Sequence, residues 1–263
     1  MSGALRFEWV RLRTLRSTWW LALASVAATA SMAWGAASAL PAGPFGEHQA
    51  VTLLTAGAPS LVLVPAGVLM AVVGVFALGH EFRFGTLRAT LLAVPGRWRL
   101  LLAKAAVVGL FAAVVAVCCS AVSWAVGYTI HGEQLLRLPW DSQTVARAVG
   151  GYVGFVTLCA LFGLALAGVC RGVAVAMAAI LAVPLLLEPA VVQLLRQPDL
   201  EPLRAAGSFL PFAAGERMFA LTGRTLPDWG PALTPLIGGA TMAGYVLVLL
   251  VAAAVSLRAR DVG

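Results

Sequence analysis

His80 and Glu81 open like the helix of a zinc peptidase, but Phe84 stands where the second histidine must be. The chain has three histidines (His48, His80 and His131), far apart in sequence. Its four cysteines (Cys118, Cys119, Cys159 and Cys170) include no CxxC pair, so neither a metal site nor a disulfide framework can be read from them. There is no G-x-x-x-x-G-K-[ST] phosphate loop and no G-x-S-x-G nucleophile elbow. No catalytic residue, metal ligand or bound cofactor is therefore expected, and the chain cannot hydrolyse ATP by itself. The polar side chain left to account for is Glu188, the one acid clearly within an expected span.

Composition decides the solvent. Of 263 residues, 61% are hydrophobic and 11% charged, and the mean hydropathy is +0.93. Soluble globular chains carry roughly 25% charged residues, so too little polar surface remains to cover a water-facing domain of this size. The alternative is lipid, where a helical span needs roughly 20 mostly apolar residues. The net charge of +7 invites a nucleic-acid reading. However, nine of the 18 basic residues fall in two stretches, 6–16 and 83–104, each beside an apolar run. Charges so placed orient membrane chains, and no nucleic-acid partner is expected. Richness in arginine and alanine points to a bacterial genome of high GC content, hence to a bacterial plasma membrane.

The expected fold is an all-α integral membrane domain over 1–263 with six spans at about 19–40, 58–79, 100–126, 149–169, 173–195 and 235–257. The fifth, 173–195, is interrupted by Pro184, Glu188 and Pro189, and an early end feeding a re-entrant external segment is its alternative. Arginine placement gives the orientation. Arg6, Arg11, Arg13 and Arg16 put the N-terminus in the cytoplasm, and Arg258 and Arg260 put the C-terminus there too. The 80–99 loop, with Arg83, Arg88, Arg97 and Arg99, is also inside, whereas the 41–57 loop has no lysine or arginine and is outside. The 196–234 segment must then be external, its four arginines balanced by Asp199, Glu201, Glu216 and Asp228.

Two cytoplasmic segments are patterned. Over 3–18, Leu5, Trp9, Leu12, Leu15 and Trp19 share one helical face and Arg6, Arg13 and Ser17 another, although Glu8 and Arg16 intrude on the apolar arc. Such a helix lies in the headgroup plane, with Trp9 and Trp19 at the interface and Arg6 and Arg13 on lipid phosphate. In the 80–99 loop, Gly85 breaks the helix leaving span two and Thr86 can cap a short surface helix from Leu87 to about Ala93. Pro95-Gly96 then turns the chain into span three. Glu188 lies roughly 22 Å along its helix from Val173. Its alternatives are a solvated helix end near the interface or a role in a gate or substrate path.

The run Glu81-Phe82-Arg83-Phe84-Gly85-Thr86-Leu87-Arg88, followed by Pro95 and by Lys104 entering the next span, resembles the E-[FY]-R-x-G-T-[LI] segment of ABC-2 type permeases. These are the membrane subunits of a class of ATP-binding-cassette transporters, and an amphipathic elbow helix with six spans resembles that family over nearly the whole chain. The resemblance implies that the loop after span two carries a coupling helix seated in a separate ATPase subunit. Glu81, Phe82, Arg83, Gly85, Thr86, Leu87 and Arg88 would form that contact. It further implies two permeases working with two copies of the ATPase, with ATP and magnesium on the ATPase. Between spans five and six it implies short re-entrant helices gating the exit, with Glu188, Phe209 and Phe212 as candidate residues of the gate or substrate path. The expected function is export of a hydrophobic or amphipathic substrate. The rivals are an ATP-independent secondary transporter, which would show buried ion-coupling acids or broken helices, and a non-transport membrane module.

Overall fold

The computed structural model describes residues 2–39, 47–55, 64–86, 96–132, 142–219 and 233–258, and no strand occurs among them. Six helical segments are long and apolar enough to cross a membrane. The first is α2 (Arg16–Ala39), preceded by the short α1 (Ser2–Thr14). A further short helix, α3 (Glu47–Leu54), falls in what the sequence reads as a plain loop. Its Leu53 is fully buried, and the Ser123 hydroxyl donates to the Leu53 carbonyl. The second segment is α4 (Pro65–Phe84), which starts and ends later than expected. Pro65 suits a first helical turn because its missing N–H would have no partner there. Gly85, at φ 66° in the left-handed region, ends the helix. Glu81 to Phe84 therefore form the last turn of α4, not a loop. The proposed surface helix from Leu87 to about Ala93 lies outside the described residues.

The third and fourth segments, α5 (Arg97–His131) and α6 (Ser142–Cys170), are longer than their apolar runs. The fifth keeps its expected bounds, Val173–Leu195. It runs as α7 (Val173–Ala182), a π turn (Val183–Leu187) and α8 (Glu188–Leu195). Proline removes a donor and crowds the preceding turn. The chain answers Pro184 and Pro189 by widening one turn, so that the Glu188 N–H bonds to the Val183 carbonyl five residues back. In lipid a carbonyl freed by proline must find another donor, which favours this repair over a break. A 3-10 segment (Pro198–Phe209) then leads to the short α9 (Pro211–Glu216), and α10 (Pro235–Arg258) is the sixth segment.

Two small residues set the centre of the bundle. A Cβ added to Gly74 of α4 would sit 1.9 Å from the Ala160 carbonyl oxygen of α6, and one on Gly163 would sit 2.1 Å from the Ala71 oxygen. The two backbones touch, as small residues allow in membrane helices. Around this contact the core collects Met70, Leu78, Val108, Phe155, Leu164 and Met242. The outward faces are no more polar, since Leu110, Leu186, Leu236 and Val248 are all exposed. Helices apolar on every side suit lipid, and the chain is a multi-pass helical membrane protein.

Replacing Gly74 by alanine is expected to lower the stability of the protein in detergent by about 1–3 kcal/mol, because the neighbour it strikes is backbone. Alanine at Gly244, which meets nothing within 4 Å, should be neutral or slightly stabilising. Thermal unfolding midpoints of the two variants check this.

Candidate functional site

The polar centre of the molecule is assembled from three helices. On α1 the face turned to the bundle carries Leu5, Glu8, Leu12 and Leu15 at helical spacing, with Glu8 and Leu12 buried. Arg6, Phe7, Trp9, Val10 and Arg13 are exposed. Glu8 is thus not a flaw in the apolar arc but a residue aimed into the bundle. The chain breaks at Leu15, where the Trp19 indole donates to the Arg13 carbonyl at 2.9 Å and so ties the end of α1 to the start of α2. Trp19 also meets Phe111 of α5 edge-on, at 6.0 Å between ring centroids.

Opposite Glu8, the first turns of α5 present Lys104, whose side chain is wholly buried. Its ammonium donates to Glu8 Oε1 at 2.7 Å, to Glu81 Oε1 at 2.7 Å and to the Ala77 carbonyl at 3.3 Å. All three of its protons are used. The Arg11 guanidinium also donates to Glu81 Oε1 and stands 3.8 Å from Glu8 Oε2. Glu81 Oε2 meets no donor among the described residues. Two cations and two anions balance, as burial requires, because an unpaired ion out of water costs several kcal/mol. A cavity of ≈ 20 Å³ adjoins the cluster, lined in part by Glu8, Arg11, Thr18, Phe76, Ala77 and Lys104. That is room for about one water molecule and none for a substrate. The cluster is mechanical: it fastens α1 to the last turn of α4 and the first turns of α5.

This placement corrects one expectation. Glu81 was to meet a partner at the surface, yet it is 1% exposed and held by Lys104 and Arg11. Phe82 is half-buried against the core. The residues presented outward are Arg83, Phe84, Gly85 and Thr86. The Arg83 guanidinium lies 5.6 Å from the Phe84 ring centre, and His80 stacks on Phe76 at 4.5 Å. Leu87 and Arg88 lie outside the described residues. The remaining members of the cluster, Glu8, Arg11 and Lys104, were not read as a site. The available signals were an acid on the apolar face of α1 and a lone lysine within an apolar run.

The expected gate residues separate. Glu188 is not solvated: it is 3% exposed, and its carboxylate accepts the backbone N–H of Phe212 at 2.7 Å and of Ala213 at 3.1 Å. Phe212 is buried edge-on against Phe162 of α6, whereas Phe209 points away from the packed interior and is 43% exposed. Burial pushes the nearby Glu216 carboxyl up to about 8, the Glu188 charge adding to the rise and Arg217 opposing it. Among the described residues no group of three or more histidine, cysteine, aspartate or glutamate side chains could hold a metal ion. Of the interface residues expected on the elbow, Arg6, Trp9, Arg13 and Trp19 are all exposed.

Replacing Lys104 by methionine leaves two buried carboxylates sharing one arginine and should cost about 3–5 kcal/mol. Adding Glu8→Gln and Glu81→Gln to that variant removes the stranded charges and should recover a large part of the loss. The unfolding midpoints of the single and triple variants in detergent test this; equal loss in both would mean that Lys104 acts through packing alone. Compared with protein-family models and with curated proteins, the chain matches none.

Proposed function

We propose that this chain is the permease subunit of an ABC-2 type transporter, in which a separate ATPase drives export of a hydrophobic or amphipathic substrate. One observation carries the reading. The segment that resembles the family's coupling region is anchored at Glu81 into a buried charge cluster shared with the elbow helix. It leaves Arg83, Phe84, Gly85 and Thr86 exposed immediately beyond that anchor. A push on the exposed turn would reach α1 and α5 through ion pairs instead of being lost in a loose loop. On this reading both ends of the chain and the 80–99 loop face the cytoplasm of a bacterial cell. Two permeases pair with two ATPases, and the 196–234 segment faces outward with α9 in the exit path.

A secondary transporter is the second reading. The observation favouring it is a buried acid, Glu188, beside a π turn and facing the short helix α9, the kind of interrupted element at which such transporters bind ions. ATP dependence separates the two.

Purified from its native membrane, the tagged chain is expected to carry magnesium-dependent ATPase activity through its partner. Replacing both Arg83 and Phe84 by alanine should reduce that activity about tenfold or more, the effect of losing a central contact, without lowering the thermal midpoint. Activity unchanged in that variant would remove the coupling role from this turn. Absence of ATPase activity, together with uptake driven by an ion gradient alone in vesicles, would establish the second reading. Glu81→Ala is the less informative variant, because it should disturb the buried cluster first.

A further inference from the structure

We propose that Glu188 is a latch that holds α9 closed against the bundle, and that loss of its carboxylate unseats this helix. The latch stands apart from both readings above, since it needs neither ATP nor an ion gradient. The helix α9 is built into a slot. Pro211 to Gly215 are all buried, and a Cβ added to Gly238 of α10 would lie 2.3 Å from the Ala214 carbonyl oxygen. In the turn that follows α9, the Met218 carbonyl oxygen lies 2.1 Å from where a Cβ on Gly151 of α6 would be. Phe219 closes the turn against Phe155 and Tyr152, with ring centroids 5.3 and 6.0 Å away. These contacts shape the slot but leave the first N–H groups of a short helix without partners.

Glu188 supplies those partners. It reaches from the first turn of α8 with both oxygens, one to Phe212 and one to Ala213. Its own helix joins α7 through the π turn Val183–Leu187, a local widening of the kind that lets one half of a helix shift against the other. One carboxylate thus joins the adaptable half of the fifth segment to α9. Other charged side chains on these elements are placed differently. Arg196, Glu201 and Arg204 are exposed, and Glu216 and Arg217 lie at the far end of α9.

The protein carries its own reporter. Cys159 is a free thiol, 2% exposed. It lies on α6 between Phe155, whose ring is 2.9 Å from where a Cβ on Gly215 would be, and Phe162, which meets Phe212 edge-on. Its sulfur is turned toward α4, 3.2 Å from where a Cβ on Gly67 would be, so its cover toward α9 is the Phe155 and Phe162 rings. If α9 leaves, those rings lose their packing and the thiol is expected to become reachable. Cys119, on α5 and also buried, lies beside Thr29 of α2 and reports opening of the bundle.

Two proteins, one keeping only Cys159 and one keeping only Cys119, are placed in lipid nanodiscs, where both faces are accessible, and labelled with a charged maleimide. With Glu188 intact, labelling of Cys159 should be slow. Glu188→Ala should speed it by about tenfold or more, as for the loss of hydrogen bonds to a charged acceptor that holds a local element shut. Glu188→Gln should speed it less, because the amide oxygen can still accept from Phe212 while the amide nitrogen cannot accept from Ala213. Cys119 labelling should not change. If Cys159 stays shielded in Glu188→Gln and in Glu188→Ala, the latch is wrong. If Cys119 accelerates in step with Cys159, Glu188 supports the whole bundle and the latch is equally overturned. Should Glu188→Ala fail to fold, the near-isosteric glutamine variant decides alone.

Discussion

Lys104 takes a full positive charge to a place where only protein can solvate it. In water an ammonium is indifferent to its neighbours; between helices that face lipid it must find anions and acceptors for three protons. That requirement brings Glu8 from α1 and Glu81 from α4 to one point, together with the Ala77 carbonyl. Arg11 follows, because two carboxylates and one lysine would leave a net negative charge. The helix α1 is therefore placed by charge as well as by its apolar face. Leu5, Leu12 and Leu15 could pack at several rotations of α1, but only one rotation delivers Glu8 to Lys104.

The far part of the bundle solves a similar problem with backbone instead of side chains. Glu188 is buried with no basic partner at hydrogen-bond distance among the described residues, and its carboxylate is met by two N–H groups at the start of α9. The same bonds satisfy donors that a six-residue helix cannot satisfy for itself. Each buried acid thus answers a need of the element it touches: Glu81 neutralises a lysine, and Glu188 completes a helix end. Neither case requires a ligand for its explanation.

The sequence made the spans legible because their signal is run length, which survives errors of a few residues at each end. Their true boundaries were less visible. α5 extends to His131 and α4 through Phe84 because helical hydrogen bonding continues past the point where the side chains turn polar. Pro184 and Pro189 read as a break since proline costs a hydrogen bond, but the widened turn that restores bonding depends on backbone geometry that no single residue announces. α3 was hidden by its brevity, eight residues without a long apolar run. The charge cluster was legible only in pieces. Glu8 as an intruder and Lys104 as a solitary lysine are each odd alone, and only their meeting across 96 positions gives them sense. Glu81 read as a surface residue because a neighbouring glycine and arginines suggested a loop, whereas one more helical turn buries it.

What can move in this molecule follows from how each part is fastened. Along α4 and α6 the backbones meet at Gly74 and Gly163 with no side chain between them, so sliding there must break close packing over several turns at once. Apolar packing of that density yields in steps, not gradually. The polar ties are different, because a hydrogen bond to a carboxylate can be exchanged for another partner without remaking the core. Lys104 and Glu188 both sit at such ties, one under α1 and one under α9. Between them lies the stiff pair α4 and α6, whose residues reach both: Ala77 and Glu81 of α4 touch the first cluster, and Phe162 of α6 touches the second. On the proposed reading, a displacement applied at the exposed end of α4 would be carried as a rigid shift toward the α9 slot, where the tie to give way is the one we propose for Glu188.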